Sequence, residues 1–432
     1  MIETNRRRKV EMGHTATEKI LAKSAGLREV YPGEIVTCKL DLVFGHSPWI
    51  NMPALEEIGD VKRVFDGERV ALGLGHHVCL PSDERYAQDL IASREMAKKY
   101  GIHYTYDMGT GNGHIIMLER GHVYPGGVFV GGDSHCTGYG CMGAFGSAIS
   151  YEYPEALIAG KMWFKVPETV QVRMEGATAR GVCARDVVQY LLGDVVGADG
   201  ALWRTLDFSG SYTHRLSIYQ RMIFTMMAAE MGAVTGFVEP DDITLDFVRN
   251  RAKFPYEVVL NDSDCKFEKI WDVDVSKIEP MIGYPPRPSN SKTVSEVEAE
   301  DIRINQAYIG GCTGSSVEDF RMAAELLKGQ KIHPEVRLLI VPGTREIAAN
   351  LRKEGLIDFF EELGAIVTPP YCGPCQMVCM GHLGEGEVMI GTHPRNQPGR
   401  AGTANIATYL GSPYTVAASA VAGKIVDPRR FL

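Results

Sequence analysis

Gln306-Ala-Tyr-Ile-Gly-Gly-Cys-Thr-Gly-Ser-Ser-Val-Glu-Asp-Phe320 decides the fold class of this chain. An apolar run gives way to a glycine-rich loop around Cys312, and a helical pattern follows. Ser315 and Glu318 stand at the spacing of a capping box. Val317, Phe320, Ala324 and Leu327 then mark one helical face. The segment predicts a strand, a tight loop and a helix, and the same order recurs along the chain. Residues 70–74 precede His76 and His77, with a helical stretch over 83–100 behind them. Residues 102–106 lead into Gly109-Thr-Gly-Asn-Gly-His114, and residues 128–130 lead into Gly131-Gly-Asp-Ser-His135. Residues 337–341 precede Pro342-Gly343, and residues 365–367 precede Cys372. Such alternation predicts an α/β architecture with largely parallel sheets.

His77, His114, His135, Cys312 and Cys372 all fall shortly after a strand-like run. Open parallel sheets bind ligands beyond the carboxyl ends of their strands, so several sheets can aim these residues at one cleft. Cys312 lies in one Gly-rich loop, and Tyr371-Cys-Gly-Pro-Cys375 forms a second. Two separated thiol loops can converge on one soft metal, and three ligands leave an open coordination position for chemistry. Cys372-Gly-Pro-Cys375 also has the spacing of a thioredoxin-like redox pair or of buried structural thiols. Cys379 is a further thiol whose offset from Cys375 suits a neighbour better than a ligand. His393-Pro-Arg-Asn-Gln-Pro-Gly-Arg400 carries two arginines in a loop suited to a carboxylate or phosphate.

The whole chain narrows the class. Its 432 residues are too many for one core and predict two to four domains. A net charge of -9 argues against a nucleic-acid partner. No apolar run approaches the roughly 18 residues of a membrane span, so no membrane partner is expected. Arg6-Arg-Arg-Lys9 is followed by no apolar segment, which makes it a solvated tail rather than a secretion signal. The 10 cysteines lack the spacing of a disulfide framework and read as reduced thiols of a cytoplasmic protein. Residues 280–291, with four prolines, read as a linker, and residues 205–235 as a helical region with a methionine core.

In this order the motifs resemble the aconitase superfamily, most closely the large subunits of 3-isopropylmalate dehydratase and homoaconitase-type enzymes. The resemblance runs over residues 17–428 and rests on Glu18-Lys-Ile-Leu-Ala22, Pro32-Gly-Glu34, Asp41 with His46, and Gly132-Asp-Ser-His135. Gly143-Ala-Phe-Gly146, Trp163-Phe-Lys-Val-Pro-Glu168, Arg221-Met222, Ile309-Gly-Gly-Cys-Thr313, Cys372-Gly-Pro-Cys375 and the loop from Arg395 to Arg400 complete it. It implies three α/β domains around a central cleft: a tail at 1–13, then domains at 14–168, 169–290 and 291–432. It also implies a [4Fe-4S] cluster held by Cys312, Cys372 and Cys375, with a fourth iron open to substrate. The implied activity is a hydro-lyase dehydrating and rehydrating a hydroxy di- or tricarboxylic acid, with 3-isopropylmalate and leucine biosynthesis the first expectation. Homoaconitate, dimethylmalate and citramalate are the alternative substrates.

By the same resemblance His77 belongs to an acid/base network near the leaving hydroxyl. His114 is oriented by Asp133 and His135 by Glu230, Ser134 contacts substrate, and Arg395 and Arg400 bind its carboxylate or support the site. The family's swivelling fourth domain, which brings a catalytic serine, has no counterpart before Leu432, so a separate small subunit is expected. A non-enzymatic iron-sensing or RNA-binding protein, or a zinc or single-iron scaffold, are the rival classes. The chain also departs from the family. Ser-Cys-Thr-Asn becomes Gly311-Cys-Thr-Gly314, Asn-Arg-Asn becomes Pro394-Arg-Asn396, and an Asp-His pair becomes His76-His77. Cys-Asn-Met before Glu230 becomes Thr225-Met-Met227. Lost hydrogen bonds are expected to alter the cluster's potential and stability.

Overall fold

The computed structural model describes residues 13–46, 55, 58, 59, 61–81, 83–376 and 379–432; the basic run of the expected tail lies outside them. Three sheets with parallel cores carry the fold. The first has five parallel strands in the order Tyr104–Tyr106, Val70–Gly73, Leu42–Gly45, Val128–Gly131 and Phe145–Ala148. Its central strand, Leu42–Gly45, is buried at every residue, as a strand covered on both faces must be. Helix Glu84–Lys99 follows the second strand, capped by the Asp83 side chain on the Tyr86 N–H. The second sheet is also all parallel, ordered Thr235–Phe237, Thr205–Ser209, Thr169–Glu175 and Lys269–Asp274.

The third sheet has seven strands. Ala407–Leu410, Val388–Gly391, Gln306–Ile309, Arg337–Ile340 and Ile366–Val367 run parallel, and an antiparallel hairpin of Met281–Gly283 and Ser291–Thr293 closes one edge. A separate antiparallel pair joins Ile35–Lys39 to Lys161–Lys165.

Three expectations require correction. The proline-rich stretch at 280–291 is not a linker but this hairpin, with Met281 and Ile282 in the core and the Tyr284 N–H closing on Asn290 O at 2.7 Å. Prolines that cannot donate to a ladder gather at its turn, and turns and linkers share that composition. Residues 205–235 are not continuously helical. Strands Thr205–Ser209 and Thr235–Phe237 bracket helix Ile218–Met227 and the turn Ala228–Met231. Short runs buried on both faces lack the alternation that marks a strand. Met222, Met226, Met227 and Met231 are core residues as expected. Finally, the cap of helix Val317–Leu327 is Ser316 with Asp319, one residue later than predicted. Glu318 instead accepts a hydrogen bond from Ser217 Oγ at 2.6 Å.

One hydrophobic core is shared by the first and third sheets, with Leu42, Phe44 and Met117 in the same cluster as Tyr308, Ile309 and Phe320. Their loops are joined directly. Gly111 bridges Thr344, and the Asn112 N–H donates to Gly343 O at 2.7 Å. Gly111 has φ 116°, and a Cβ there would sit 2.3 Å from Gly343 O, so only glycine allows this approach.

Candidate functional site

The site collects at the carboxyl ends of the parallel strands of the first and third sheets. His46 follows Leu42–Gly45, His76 and His77 follow Val70–Gly73, and Asp133, Ser134 and His135 follow Val128–Gly131. From the third sheet, Cys312 follows Gln306–Ile309, Cys372 and Cys375 follow Ile366–Val367, and Arg395 and Arg400 follow Val388–Gly391. His114 lies in the first turn of helix Gly113–Glu119. Glu230 comes from the turn Ala228–Met231, next to the second sheet.

Asp133 is the hub of the imidazoles. As the cap of the short helix Ser134–Met142, its Oδ1 accepts the His135 N–H at 2.7 Å. The same oxygen meets His114 Nε2 at 3.0 Å and His135 Nδ1 at 3.6 Å, while Oδ2 faces His46 Nε2 at 3.3 Å. Burial opposes ionisation, but the charges and hydrogen bonds of His46 and His114 hold Asp133 well below the usual carboxylate range. His114 Nδ1 meets the Tyr139 hydroxyl at 3.5 Å.

His135 Nε2 lies 3.8 Å from Glu230 Oε1. Burial and Arg395 oppose its protonation, yet the nearby Cys312 and Glu230 and the charge of Asp133 push its pKa up to about 9. Arg395 locks the other side of Glu230: its Nε donates to Glu230 Oε1 at 2.6 Å and its Nη2 to Ser134 Oγ at 2.7 Å. Glu230 is therefore shared between His135 and Arg395. His76 and His77 are buried, and desolvation together with neighbouring imidazoles holds both well below the usual histidine range. The His46, His76 and His77 ring centroids lie 4.7–5.2 Å apart.

Cys312, Cys372 and Cys375 are buried, with Cys372 neighbouring both of the others. The neighbouring thiols of Cys312 and Cys375 push Cys372 well above the usual thiol range. Cys372 in turn holds Cys312 well below that range and Cys375 down to about 6. Thiolate is the form that ligates a metal, so metal binding here would release the thiol protons. Side-chain donors surround the sulfurs. Asn112 Nδ2 is 3.0 Å from Cys312 Sγ, His76 Nε2 is 3.6 Å from Cys372 Sγ, and Arg400 Nη2 is 3.9 Å from Cys375 Sγ. Three soft sulfur donors ringed by N–H groups fit an iron–sulfur group. A third thiol within reach is more than a two-cysteine redox pair requires. Cys379 is buried, and desolvation raises it far into the protonated range, which makes it a neighbour.

The altered positions have local partners. A Cβ on Gly314 would come 2.2 Å from Thr392 Cβ. Thr392 Oγ1 takes the Gly310 N–H at 2.9 Å and Thr313 Oγ1 donates to Thr392 O at 2.7 Å, so a threonine on the adjacent strand end ties down the Cys312 loop. Asn396 Nδ2 donates to Gly283 O at 3.1 Å, away from the cysteines.

All eleven sequence-selected site residues therefore lie in one connected array. Sequence reasoning missed His46, His76 and Asn112 as members of it. His46 had a usable signal, because it follows a strand as His77 does; Asn112 had none, because its contact depends on how the first and third sheets pack.

A family model described as the aconitase family (aconitate hydratase) matches residues 81–423. The chain is 42% identical over 425 residues to the 3-isopropylmalate dehydratase large subunit 1 of Pyrococcus furiosus, covering 97% of this chain and 99% of that one. It is 43% identical over 428 residues to the large subunit 1 of the same name from Pyrococcus abyssi, covering 98% and 100%. To the 3-isopropylmalate dehydratase large subunit of Aquifex aeolicus it is 41% identical over 425 residues, covering 96% and 97%.

Proposed function

The chain belongs to the aconitase family, and from that premise we propose that it is the cluster-bearing large subunit of a hydro-lyase acting on 3-isopropylmalate. One observation carries the reading: three buried thiols close together, facing a carboxylate-linked histidine array and two arginines. Cys312, Cys372 and Cys375 would hold a [4Fe-4S] cluster. When bound, that cluster supplies a Lewis-acidic iron able to take a hydroxyl and a carboxylate of the substrate.

The chain's own residues do the rest. Arg395, fixed between Glu230 and Ser134, presents a rigid guanidinium edge for a substrate carboxylate. His77, kept neutral by burial, can accept or return a proton at the leaving hydroxyl. His135, beside the carboxylates of Asp133 and Glu230 that favour its protonated form, can serve as a proton donor. Asp133 orients His114 and supplies the negative charge that the imidazoles share. The absence of water-exposed rings in this array keeps proton transfer local.

The expected division into three α/β units, 14–168, 169–290 and 291–432, is supported by the three larger of the four sheets, with strand Met281–Gly283 joining the third unit. A separate small subunit is supported by the relatives' names, which mark them as large subunits. Among the described residues no helix is long and apolar enough to cross a membrane.

The test is an anaerobic assay of the chain, alone and with its small subunit, on 3-isopropylmalate, homoaconitate, dimethylmalate and citramalate. The expected result is turnover by the pair alone, with the highest kcat/KM on 3-isopropylmalate. A higher kcat/KM on another diacid would replace the substrate, and full turnover by the chain alone would refute the partner.

A further inference from the structure

Two side chains of the first sheet reach the thiols of the third, and both are held by the start of helix Gly113–Glu119. The Gly113 N–H donates to His76 Nδ1 at 3.0 Å. A ring nitrogen that accepts a backbone N–H carries no proton, so the proton of this imidazole sits on Nε2. That N–H faces Cys372 Sγ at 3.6 Å. Asn112 is fixed in the same manner. Its Oδ1 accepts the His114 N–H at 3.1 Å as the helix cap, which turns Nδ2 toward Cys312 Sγ at 3.0 Å and Cys372 Sγ at 3.9 Å. Its backbone N–H is tied to Gly343 O at 2.7 Å. Neither donor can rotate away without breaking a second hydrogen bond.

We propose that His76 and Asn112 are positioning residues for the metal centre, donating N–H···S hydrogen bonds that fix the Cys372 and Cys312 thiolates and set the reduction potential and air stability of the cluster. The proposal rests on the cluster reading above. Hydrogen bonds to sulfur spread the negative charge of a thiolate and favour the reduced cluster, which carries one charge more. They also restore from the first sheet what the third does not provide, because Pro394 has no side-chain donor and Asn396 is engaged by Gly283 O. An imidazole at position 76 has a geometric reason here: it accepts a backbone N–H on one side and donates to sulfur on the other, which a carboxylate cannot do.

The variants separate donor loss from packing loss. His76→Asn keeps an acceptor at the Nδ1 position and removes the donor at Nε2, whereas His76→Gln returns an N–H near Nε2. Asn112→Ser keeps a helix cap and withdraws the amide. The midpoint potential from a redox titration followed by electron paramagnetic resonance, and the rate of bleaching in air, are measured on anaerobically purified protein. His76→Asn and Asn112→Ser are expected to lower the potential and speed bleaching about 10-fold, with His76→Gln returning both toward wild type. Wild-type potentials and bleaching rates in both donor-loss variants would overturn the proposal while leaving the cluster reading intact. A glutamine no better than asparagine would overturn it for His76. A wild-type chain that assembles no cluster would overturn both.

Discussion

At Asp133 a single carboxylate meets three imidazoles, with His114, His46 and His135 at 3.0, 3.3 and 3.6 Å. An amide in its place could satisfy the cap but could not hold three rings or their protons. Asp133→Asn is therefore expected to lower kcat by about 10²–10⁴-fold, the usual range for lost acid/base catalysis, with an unchanged thermal unfolding profile. Arg395→Lys tests a different contact. A lysine offers one point charge and cannot span Glu230 and Ser134 together, so KM for the diacid should rise with cluster absorbance unchanged. An unaltered KM would remove Arg395 from the substrate site. Legibility at this scale followed topology. His77, His114, His135 and the cysteines could be grouped because each follows a strand. The donor roles of His76 and Asn112 were hidden, since they depend on the packing of two sheets far apart in sequence. Sharing of Glu230 between His135 and Arg395 was hidden for the same reason.

Between elements, Glu119 is the clearest electrostatic joint. It lies at the end of helix Gly113–Glu119, and its Oε1 accepts from Tyr219 at 3.1 Å and Thr344 at 2.8 Å, linking that helix to Ile218–Met227 and to the cap of Arg345–Lys353. Burial pushes its pKa up to about 7 from 4.5, outweighing the hydrogen bonds from Thr344 and Tyr219 that lower it. Between those two values the folded chain holds the proton that the unfolded chain has released. Stability therefore falls as pH rises through that window, by on the order of 3 kcal/mol. Glu119→Gln keeps the acceptor and removes the titration. Its melting temperature should exceed that of wild type increasingly from about pH 5 to pH 7, and parallel curves would refute the assignment. Arg221 poses the opposite case. Its guanidinium is fully buried and bonded to both oxygens of Asp241, at 2.8 and 2.6 Å. Asp241→Ala strands that charge and should cost about 3 kcal/mol or more by denaturant titration.

The elements themselves were legible where the pattern was strong. The strand at Gln306–Ile309 and the helix after Asp83 follow from apolar runs and capping residues. The hairpin at 281–293 was not, because its proline turn has the composition of a linker. The strand at Thr205–Ser209 was not, because burial on both faces removes its alternation.

Across the whole molecule, the first and third sheets share one core, and the cysteines and histidines that follow their strands meet in one buried array. Glu230 reaches it from the helical turn beside the second sheet. Loss of any one sulfur should therefore be felt at the centre of the molecule and leave its sheets intact. The most direct measurement is an iron and acid-labile sulfide count with a visible spectrum on anaerobically purified wild type and Cys375→Ser. About four iron and four sulfide per wild-type chain are expected, with a broad band at about 400 nm that the substitution abolishes. A wild-type chain without sulfide, or a band unchanged in Cys375→Ser, would contradict it.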